Sequence, residues 1–291
     1  MEGITKIYNR KTKEYEEIKQ YGGDRLEMLY NTKHKVLIPI FTGRLFSEVN
    51  NLKNRFPSSA DKIEPFVREN NIPTEEFEGQ KFYSFADFFE RTIDLKYRPK
   101  SRKKGAFLAP ADSKVLRFPI SDDMKVKVKG ITYTLNDLTG NRFDLREYAG
   151  GECLIFRLTM DDYHHYHHVD DGRIRKRLRI NGCLHTVSNA SRTKAIYKEN
   201  KRVVNLIKTV HFSDIFYIEV GAMLVGKIVN NNRICFSAGD EKGMFKLGGS
   251  TIVILVKPNE LEVDRDILKN SAEGIETKVR AREKIGMKKK D

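Results

Sequence analysis

Gly243-Met244-Phe245-Lys246-Leu247-Gly248-Gly249-Ser250-Thr251-Ile252-Val253, continuing through Ile254-Leu255-Val256, is a glycine turn that runs into an unbroken β-forming segment. Residues 251 to 256 are apolar or β-branched at every position, which is the pattern of a central strand buried on both faces. The two glycines before Ser250 permit a strained turn and a close backbone approach. Held in such a turn, the Ser250 hydroxyl can attack the carbonyl of Gly249, because a fixed geometry replaces a bimolecular encounter. Spacing alone does not choose this reading over an ordinary glycine turn before a strand. The segment also lacks the G-x-x-x-x-G-K-[ST] phosphate loop.

The same β pattern extends back to Gly105. Short runs rich in valine, isoleucine and threonine, among them Lys125 to Val128, Cys153 to Leu158, Ile215 to Val220 and Met223 to Val229, are separated by turn residues such as Asn230-Asn231-Asn232 and Gly239-Asp240. From about Asp24 to Asp94 the spacing is helical instead: Leu37, Ile40, Phe41, Leu45, Phe46 and Val49 share one helix face. A second helix is expected after Ser58 or Ser59, stopped by Asn70-Asn71-Ile72-Pro73, and a third near Ser84 with the stripe Phe85, Phe88, Phe89 and Ile93. Tyr97 to Gly105 is basic and reads as a linker. The expected fold is α+β, with a helical N-terminal region (residues 1–100) packed on a larger β-rich catalytic domain (residues 101–291).

The chain has 291 residues, enough for a substantial core, and its 32% charged residues describe a water-soluble protein. Its longest apolar runs, Val36 to Phe41 and Thr251 to Val256, fall far short of the roughly 20 residues a spanning helix needs. Met1 to Tyr21 carries no apolar segment of the signal-peptide kind. Lysine and arginine outnumber the acids by 54 to 40, and the resulting charge of +14 favours polyanionic partners: nucleic acid, an anionic membrane surface or phosphorylated substrates. Cys153, Cys183 and Cys235 show no paired spacing, which argues against a zinc ribbon or a disulfide scaffold. Each sits among apolar neighbours and is expected to be a small buried side chain in a reducing, intracellular setting.

Three segments carry candidate chemistry. Four of the seven histidines fall within Tyr163-His164-His165-Tyr166-His167-His168, and imidazoles in such a cluster suit acid–base catalysis or metal ligation. His164 with His167 or His168 would share a helical face, but there is no H-E-x-x-H. Asp112, in Ala109-Pro110-Ala111-Asp112-Ser113, is an ordinary turn aspartate taken alone, yet with His167 and Ser250 it completes an acid, base and nucleophile set. Arg173, Arg175, Arg177 and Arg179 alternate with other residues, so an extended strand would put four guanidiniums on one wet or anion-binding face.

Together these segments resemble the pyruvoyl-dependent phosphatidylserine decarboxylases. The match runs in order through Phe88-Phe89-Glu90-Arg91 and Arg98-Pro99, Pro110-Ala111-Asp112, Tyr163-His164 to His167, Val220-Gly221-Ala222-Met223-Leu224-Val225-Gly226, and Phe245-Lys246-Leu247-Gly248-Gly249-Ser250-Thr251, covering roughly residues 60 to 285. Ser113 stands where the family usually has glycine, His165 where it has arginine, and His168-Val169 where it commonly has Ser-Pro.

The resemblance implies a proenzyme that cuts itself between Gly249 and Ser250, driven by Asp112 and His167, into a large chain (1–249) and a small chain (250–291) that stay associated. Ser250 becomes an N-terminal pyruvate-derived pyruvoyl group, the covalent cofactor, whose carbonyl condenses with the amine of phosphatidylserine as a Schiff base. Loss of carbon dioxide gives phosphatidylethanolamine, with His164 as the acid that reprotonates the carbanion and His165 and His168 close enough to assist. It also implies a peripheral enzyme on the cytoplasmic face of the cell membrane, docked on anionic lipid by basic charge, with the amphipathic stretch Leu37 to Val49 either a membrane-docking helix or an ordinary core-packing one. Self-association into a homo-oligomer is left open. The rival readings are a metal-dependent hydrolase or oxygenase built on the histidine cluster and, third, a nucleic-acid-binding module, which leaves Gly249-Ser250 unexplained and shows no known binding motif.

Overall fold

Strands dominate the described residues, which are 4–19, 52–128, 131–183, 196–221, 227–247 and 250–290 of the computed structural model. In chain order they are β1 (Ile4–Asn9), β2 (Glu14–Lys19), β3 (Ala106–Leu108), β4 (Ser113–Pro119), β5 (Lys125–Val128), β6 (Ile131–Thr134), β7 (Glu152–Leu158), β8 (His165–His167) and β9 (Gly172–Ile180). There follow β10 (Arg202–Thr209), β11 (Asp214–Gly221), β12 (Lys227–Asn230), β13 (Cys235–Phe236), β14 (Glu241–Lys246), β15 (Ser250–Val256), β16 (Leu261–Val263), β17 (Glu276–Val279) and β18 (Lys284–Lys288). One large sheet runs β13-β9-β10-β11-β15-β7-β4-β17-β1-β2, antiparallel except where β1 joins β17. Two small sheets, β12-β14-β8 and β16-β18-β3, and the hairpin β5-β6 complete the set.

The segment that reads as a central strand is one. All seven residues of β15 are buried, between β11 on one side and β7 on the other. Ile252, Val253, Ile254, Leu255 and Val256 each bury a side chain worth about 1.5–3 kcal/mol. The small sheet β12-β14-β8 stacks on one face of this centre. The Tyr166 ring of β8 lies 6.3 Å from that of Tyr217, whose hydroxyl donates to the His167 carbonyl at 3.3 Å.

The helical expectation for the N-terminal region holds only in fragments. Residues 4–19 form a hairpin of the main sheet, closed by a turn in which the Lys13 amide bonds the Asn9 carbonyl at 2.8 Å. β1 then pairs with β17, so this edge is fixed by strand alternation with Ile7 facing inward. Residues 20–51, with the amphipathic stretch Leu37 to Val49, lie outside the described residues. Beyond them the helices are short, Ile63–Glu69 and Phe85–Phe89, with 3-10 turns at Pro57–Lys62 and Thr74–Phe77. Ser84 caps the second helix by accepting from the Asp87 amide. Ser59 caps nothing; its hydroxyl accepts from the Phe85 amide at 2.9 Å and ties the two helical pieces together. Their apolar sides meet in a separate cluster of Phe66, Ile72, Phe85, Phe88, Phe89 and Leu247. Leu247 anchors the chain against that cluster just before the glycine pair.

Two further expectations are corrected. Cys153 is buried, but Cys183 and Cys235 are exposed, Cys235 because it lies on the edge strand β13. The arginine row is broken by a bulge. Ile174 faces Ile207 and Lys176 faces Leu206, which leaves Arg175 as the extra residue. Arg173 then stands opposite Lys208 and Arg177 opposite Asn205, on different faces of the sheet.

Charge is buried inside the main sheet as well. Arg157 on β7 and Glu276 on β17 are both almost fully enclosed, with the guanidinium Nε 3.0 and 3.1 Å from the two carboxylate oxygens. Burial alone lowers the pKa of Arg157, but the Glu276 charge and hydrogen bonds outweigh it and keep the pair ionised. Removing one partner leaves an uncompensated buried charge, so Glu276→Gln is expected to lower stability by about 3 kcal/mol. Arg157→Met/Glu276→Leu should recover most of that loss; urea unfolding of both variants checks it.

Candidate active site

Ser250 opens β15, opposite Gly221 of β11 and Leu158 of β7. It is fully buried, and its Oγ has no hydrogen-bond partner among the described residues; the same is true of Thr251 Oγ1. A buried hydroxyl left unsatisfied costs on the order of 1–3 kcal/mol, so it marks a place where something other than stability is served. Gly248 and Gly249 lie outside the described residues. Alternation puts Ser250 on the face that carries Gly221, Glu219 and Tyr217, which is the face covered by the histidine strand.

The histidine segment divides its side chains between directions. His165 and His167 share one face of β8 and Tyr166 takes the other. The Tyr163 ring stacks on His165 at 4.9 Å and lies 6.4 Å from His167. His165 Nδ1 is 3.0 Å from the Glu241 carboxylate, whose pKa is held down by that contact. Neither ring nitrogen of His167 has a hydrogen-bond partner among the described residues. Burial pushes its pKa down to about 4, against the opposing charges of Glu241 and, more weakly, Asp112. Its backbone amide bonds the Pro110 carbonyl at 2.7 Å, which ties the strand to the turn preceding Asp112.

His164 lies against Phe89, ring centroids 4.0 Å apart, and its Nδ1 is 2.9 Å from the Asp162 carbonyl. A carbonyl only accepts, so Nδ1 carries the proton and Nε2 is a buried lone pair without a partner. Burial takes its pKa down to about 3. His168 stacks on Phe236 at 3.3 Å with both nitrogens unpaired, its pKa pushed down to about 2 by burial. Only His165 and His167 share a direction, and no group of three or more metal-ligating side chains comes together among the described residues.

Asp112 is held by Arg98. The guanidinium Nε lies 2.8 and 3.0 Å from its two oxygens and Nη2 2.6 Å from one, while the Ala281 amide adds a bond at 2.8 Å. Burial raises the Asp112 pKa, but the Arg98 bonds and charge overcome it and hold the carboxyl below its usual range. Arg98 in turn makes two 2.8 Å bonds to Glu76. Asp112 thus reaches His167 through its charge and not through a hydrogen bond, because Arg98 and Ala281 occupy its oxygens.

Several functional partners are invisible in the sequence. Arg98 stands in the basic run expected to be a linker, yet it is 4% exposed; only its neighbour Pro99 sets it apart from the other cations there. Lys114 bonds both oxygens of Asp162 at 2.8 and 2.7 Å, and Arg91 reaches the Asp161 and Asp162 carbonyls, so the turn that orients His164 is pinned from two sides. Glu241 sits nine residues before Ser250 and is brought to the histidines by pairing of β14 with β8.

Three enclosed neutral histidines make stability sensitive to acid. Each has a folded pKa below the unfolded value of about 6.5, so as pH falls below 6.5 the unfolded chain takes up protons that the folded one refuses. Stability is expected to fall by about 1.4 kcal/mol per histidine per pH unit, or about 4 kcal/mol per pH unit for the three together, as pH drops from 6.5 towards about 4. Urea midpoints at pH 7, 6 and 5 measure this slope, and His168→Gln should flatten it by about a third.

The phosphatidylserine decarboxylase family profile matches residues 85–287, a span that runs from the Phe85 helix to β18 and includes Asp112, the histidine segment and Ser250. Phosphatidylserine decarboxylase proenzyme 2 of Clostridium acetobutylicum is 46% identical over 283 residues, covering 96% of this chain and 97% of its own. The phosphatidylserine decarboxylase proenzyme of Clostridium tetani is 39% identical over 295 residues (98% and 99%), and that of Ruminiclostridium cellulolyticum 36% over 294 (97% of each). On a profile match over most of its length and full-length relatives at this identity, the chain belongs to the phosphatidylserine decarboxylase family.

Proposed function

We propose that this chain is the proenzyme of a phosphatidylserine decarboxylase that cuts itself between Gly249 and Ser250. The observation that supports this most directly is the unpartnered, fully buried Ser250 hydroxyl at the start of the central strand, on the face covered by the histidine strand. His167 is neutral at physiological pH and has both ring nitrogens free, as a base for that hydroxyl must. It takes the hydroxyl proton as Oγ attacks the Gly249 carbonyl, and the amide bond becomes an ester. Asp112 and Glu241 stabilise the imidazolium by charge. Removal of the Ser250 α-proton then expels the Gly249 carboxylate, and hydrolysis of the resulting dehydroalanine releases ammonia and leaves a pyruvoyl group on residue 250.

That group supplies the carbonyl that takes the substrate amine and accepts the electrons left as carbon dioxide departs. The position suits it, since residue 250 is enclosed at the head of the buried strand β15. His164 presents its Nε2 lone pair in an enclosed setting beside Phe89, and the carboxylate of an incoming substrate would raise its proton affinity, fitting it to deliver the proton that replaces carbon dioxide. Residues 250–291 supply β15, β16, β17 and β18 to two sheets, so the small chain stays embedded after the cut.

A phospholipid substrate requires a lipid surface. Leu52, Phe56 and Tyr83 are exposed beside the phenylalanine cluster, with Lys53, Arg55, Lys62 and Lys81 exposed among them. Exposed apolar and cationic side chains on one stretch of chain suit peripheral docking on an anionic membrane, consistent with a place on the cytoplasmic face of the cell membrane, each cation worth about 1 kcal/mol near such a surface. Sedimentation with phosphatidylserine-containing vesicles should exceed that with neutral phosphatidylcholine vesicles and weaken in Phe56→Asp/Tyr83→Asp. Equal sedimentation with both vesicle types would remove this reading.

Intact masses under denaturing conditions test the cleavage. Two chains ending at Gly249 and beginning at residue 250 are expected, whereas Ser250→Ala should stay at 33.7 kDa. His164→Ala should still split yet release carbon dioxide from phosphatidylserine at least ~100-fold more slowly. A wild-type chain that stays whole while active would overturn the mechanism.

A further inference from the structure

Lys242 is fully buried in β14, one residue from Glu241 and eight before Ser250. Its ammonium donates to Glu219 of β11 and to Asn230 of β12, and it lies 4.9 Å from the Tyr217 ring and 5.7 Å from the Tyr166 ring. Glu219 is equally buried, and its second oxygen accepts from Asn205 at 2.8 Å, which in turn accepts from Arg177. Nothing in the cleavage chemistry uses this ion pair. It is nonetheless on the reacting face: Glu219 stands opposite Ile252 and Gly221 opposite Ser250, so the carboxylate is a diagonal neighbour of the nucleophile, about 7–8 Å along the sheet.

Lys242 is also the extra residue of a bulge. Glu241 pairs with His167 and Gly243 with Tyr166, which leaves Lys242 without a partner on β8. In a regular strand Lys242 and Phe245, three apart, would face opposite ways; here both meet the Tyr166 ring between the sheets. The bulge needs Gly243, where a Cβ would fall 2.0 Å from the Val229 carbonyl oxygen. Turning Lys242 inward leaves Glu241 free to meet His165 on the other side.

We propose that the Lys242–Glu219 pair is a positioning device for self-cleavage: it holds the β14 bulge that aims Glu241 at the histidine strand and seats that strand over Ser250. This rests on the reading of Ser250 and His167 given above. The groups that face Lys242 are Glu219 and Tyr217 from β11, Arg177 from β9, Tyr166 from β8, His168 just beyond β8, which burial keeps neutral, and Asn230 from β12. Burial pushes both tyrosines well up, whereas burial takes Lys242 down to about 8. The clamp therefore loosens as pH rises through about 8, when Glu219 loses its counter-ion.

Cleavage of the full chain is followed with time in a cell-free translation reaction shifted between pH 7 and 9.5. Lys242→Met and Glu219→Gln should cut about 100-fold more slowly than wild type. Lys242→Arg should recover much of the Lys242→Met loss and keep its rate at alkaline pH, where wild type slows. Lys242→Met/Glu219→Leu removes both charges, so its urea midpoint should match wild type or exceed it while cleavage stays slow. A double variant that cuts within about twofold of wild type would reduce the pair to packing and overturn the proposal. A wild-type rate that is flat to pH 9.5 would overturn it too. A wild-type chain that never splits, or Ser250→Ala that does, would instead refute the underlying cleavage reading.

Discussion

The backbone ladder that seats Ser250 to Val256 between β11 and β7 is the constraint on which the rest of the molecule depends. It fixes a strand whose side chains are buried on both faces, and it fixes where that strand starts. Because alternation in a sheet has period two, placing Ser250 opposite Gly221 decides that its hydroxyl emerges on the face beneath β8 and not on the reverse. A slip of one residue would present Thr251 there instead.

Above that strand the protein divides charge and neutrality between two sets of groups. Asp112, Arg98 and Glu76 form an enclosed ionic chain in which every carboxylate finds a guanidinium. His164, His167 and His168 are enclosed without hydrogen-bonding partners for their reactive nitrogens, and burial keeps them neutral. An imidazole already bonded to a carboxylate would sit partly in its protonated form. One that senses the carboxylate only through space stays a free base and is still stabilised once it takes a proton. The Arg98 clamp on Asp112 produces this separation, since it satisfies the acid locally and leaves His167 unengaged.

How far the sequence disclosed this follows from the range of each signal. β15 was legible because β-branched residues at consecutive positions suit a strand buried on both sides, and the histidine cluster because four imidazoles in five residues rarely serve packing. Ser84 as a helix cap and the stop at Asn70-Asn71 are local and were readable too. The roles of Arg98, Lys114, Glu219 and Lys242 were not, because each depends on a partner at least 14 residues away that only the sheet brings near. Residues 4–19 misled because six-residue strands at an edge show little periodicity against a helical background. The arginine row misled because a bulge adds one residue to one strand and reverses every face beyond it.

The proposed cut between residues 249 and 250 leaves the same ladder in place. β15 from Ser250 onward lies wholly on one side of that bond, so every described pairing of the strand with β11 and β7 survives the break. The small chain keeps five enclosed apolar residues in β15 alone, together with β17, through which β4 joins β1, and β18, which pairs with β3. Its contacts to the large chain are those of a domain core and not of a surface contact, so loss of covalent continuity changes little of what holds it. What the break does change is residue 250 itself, which goes from a backbone amide constrained at both ends to a chain terminus constrained at one. A reactive group formed there gains freedom on the side facing the histidines while the ladder still fixes it from behind.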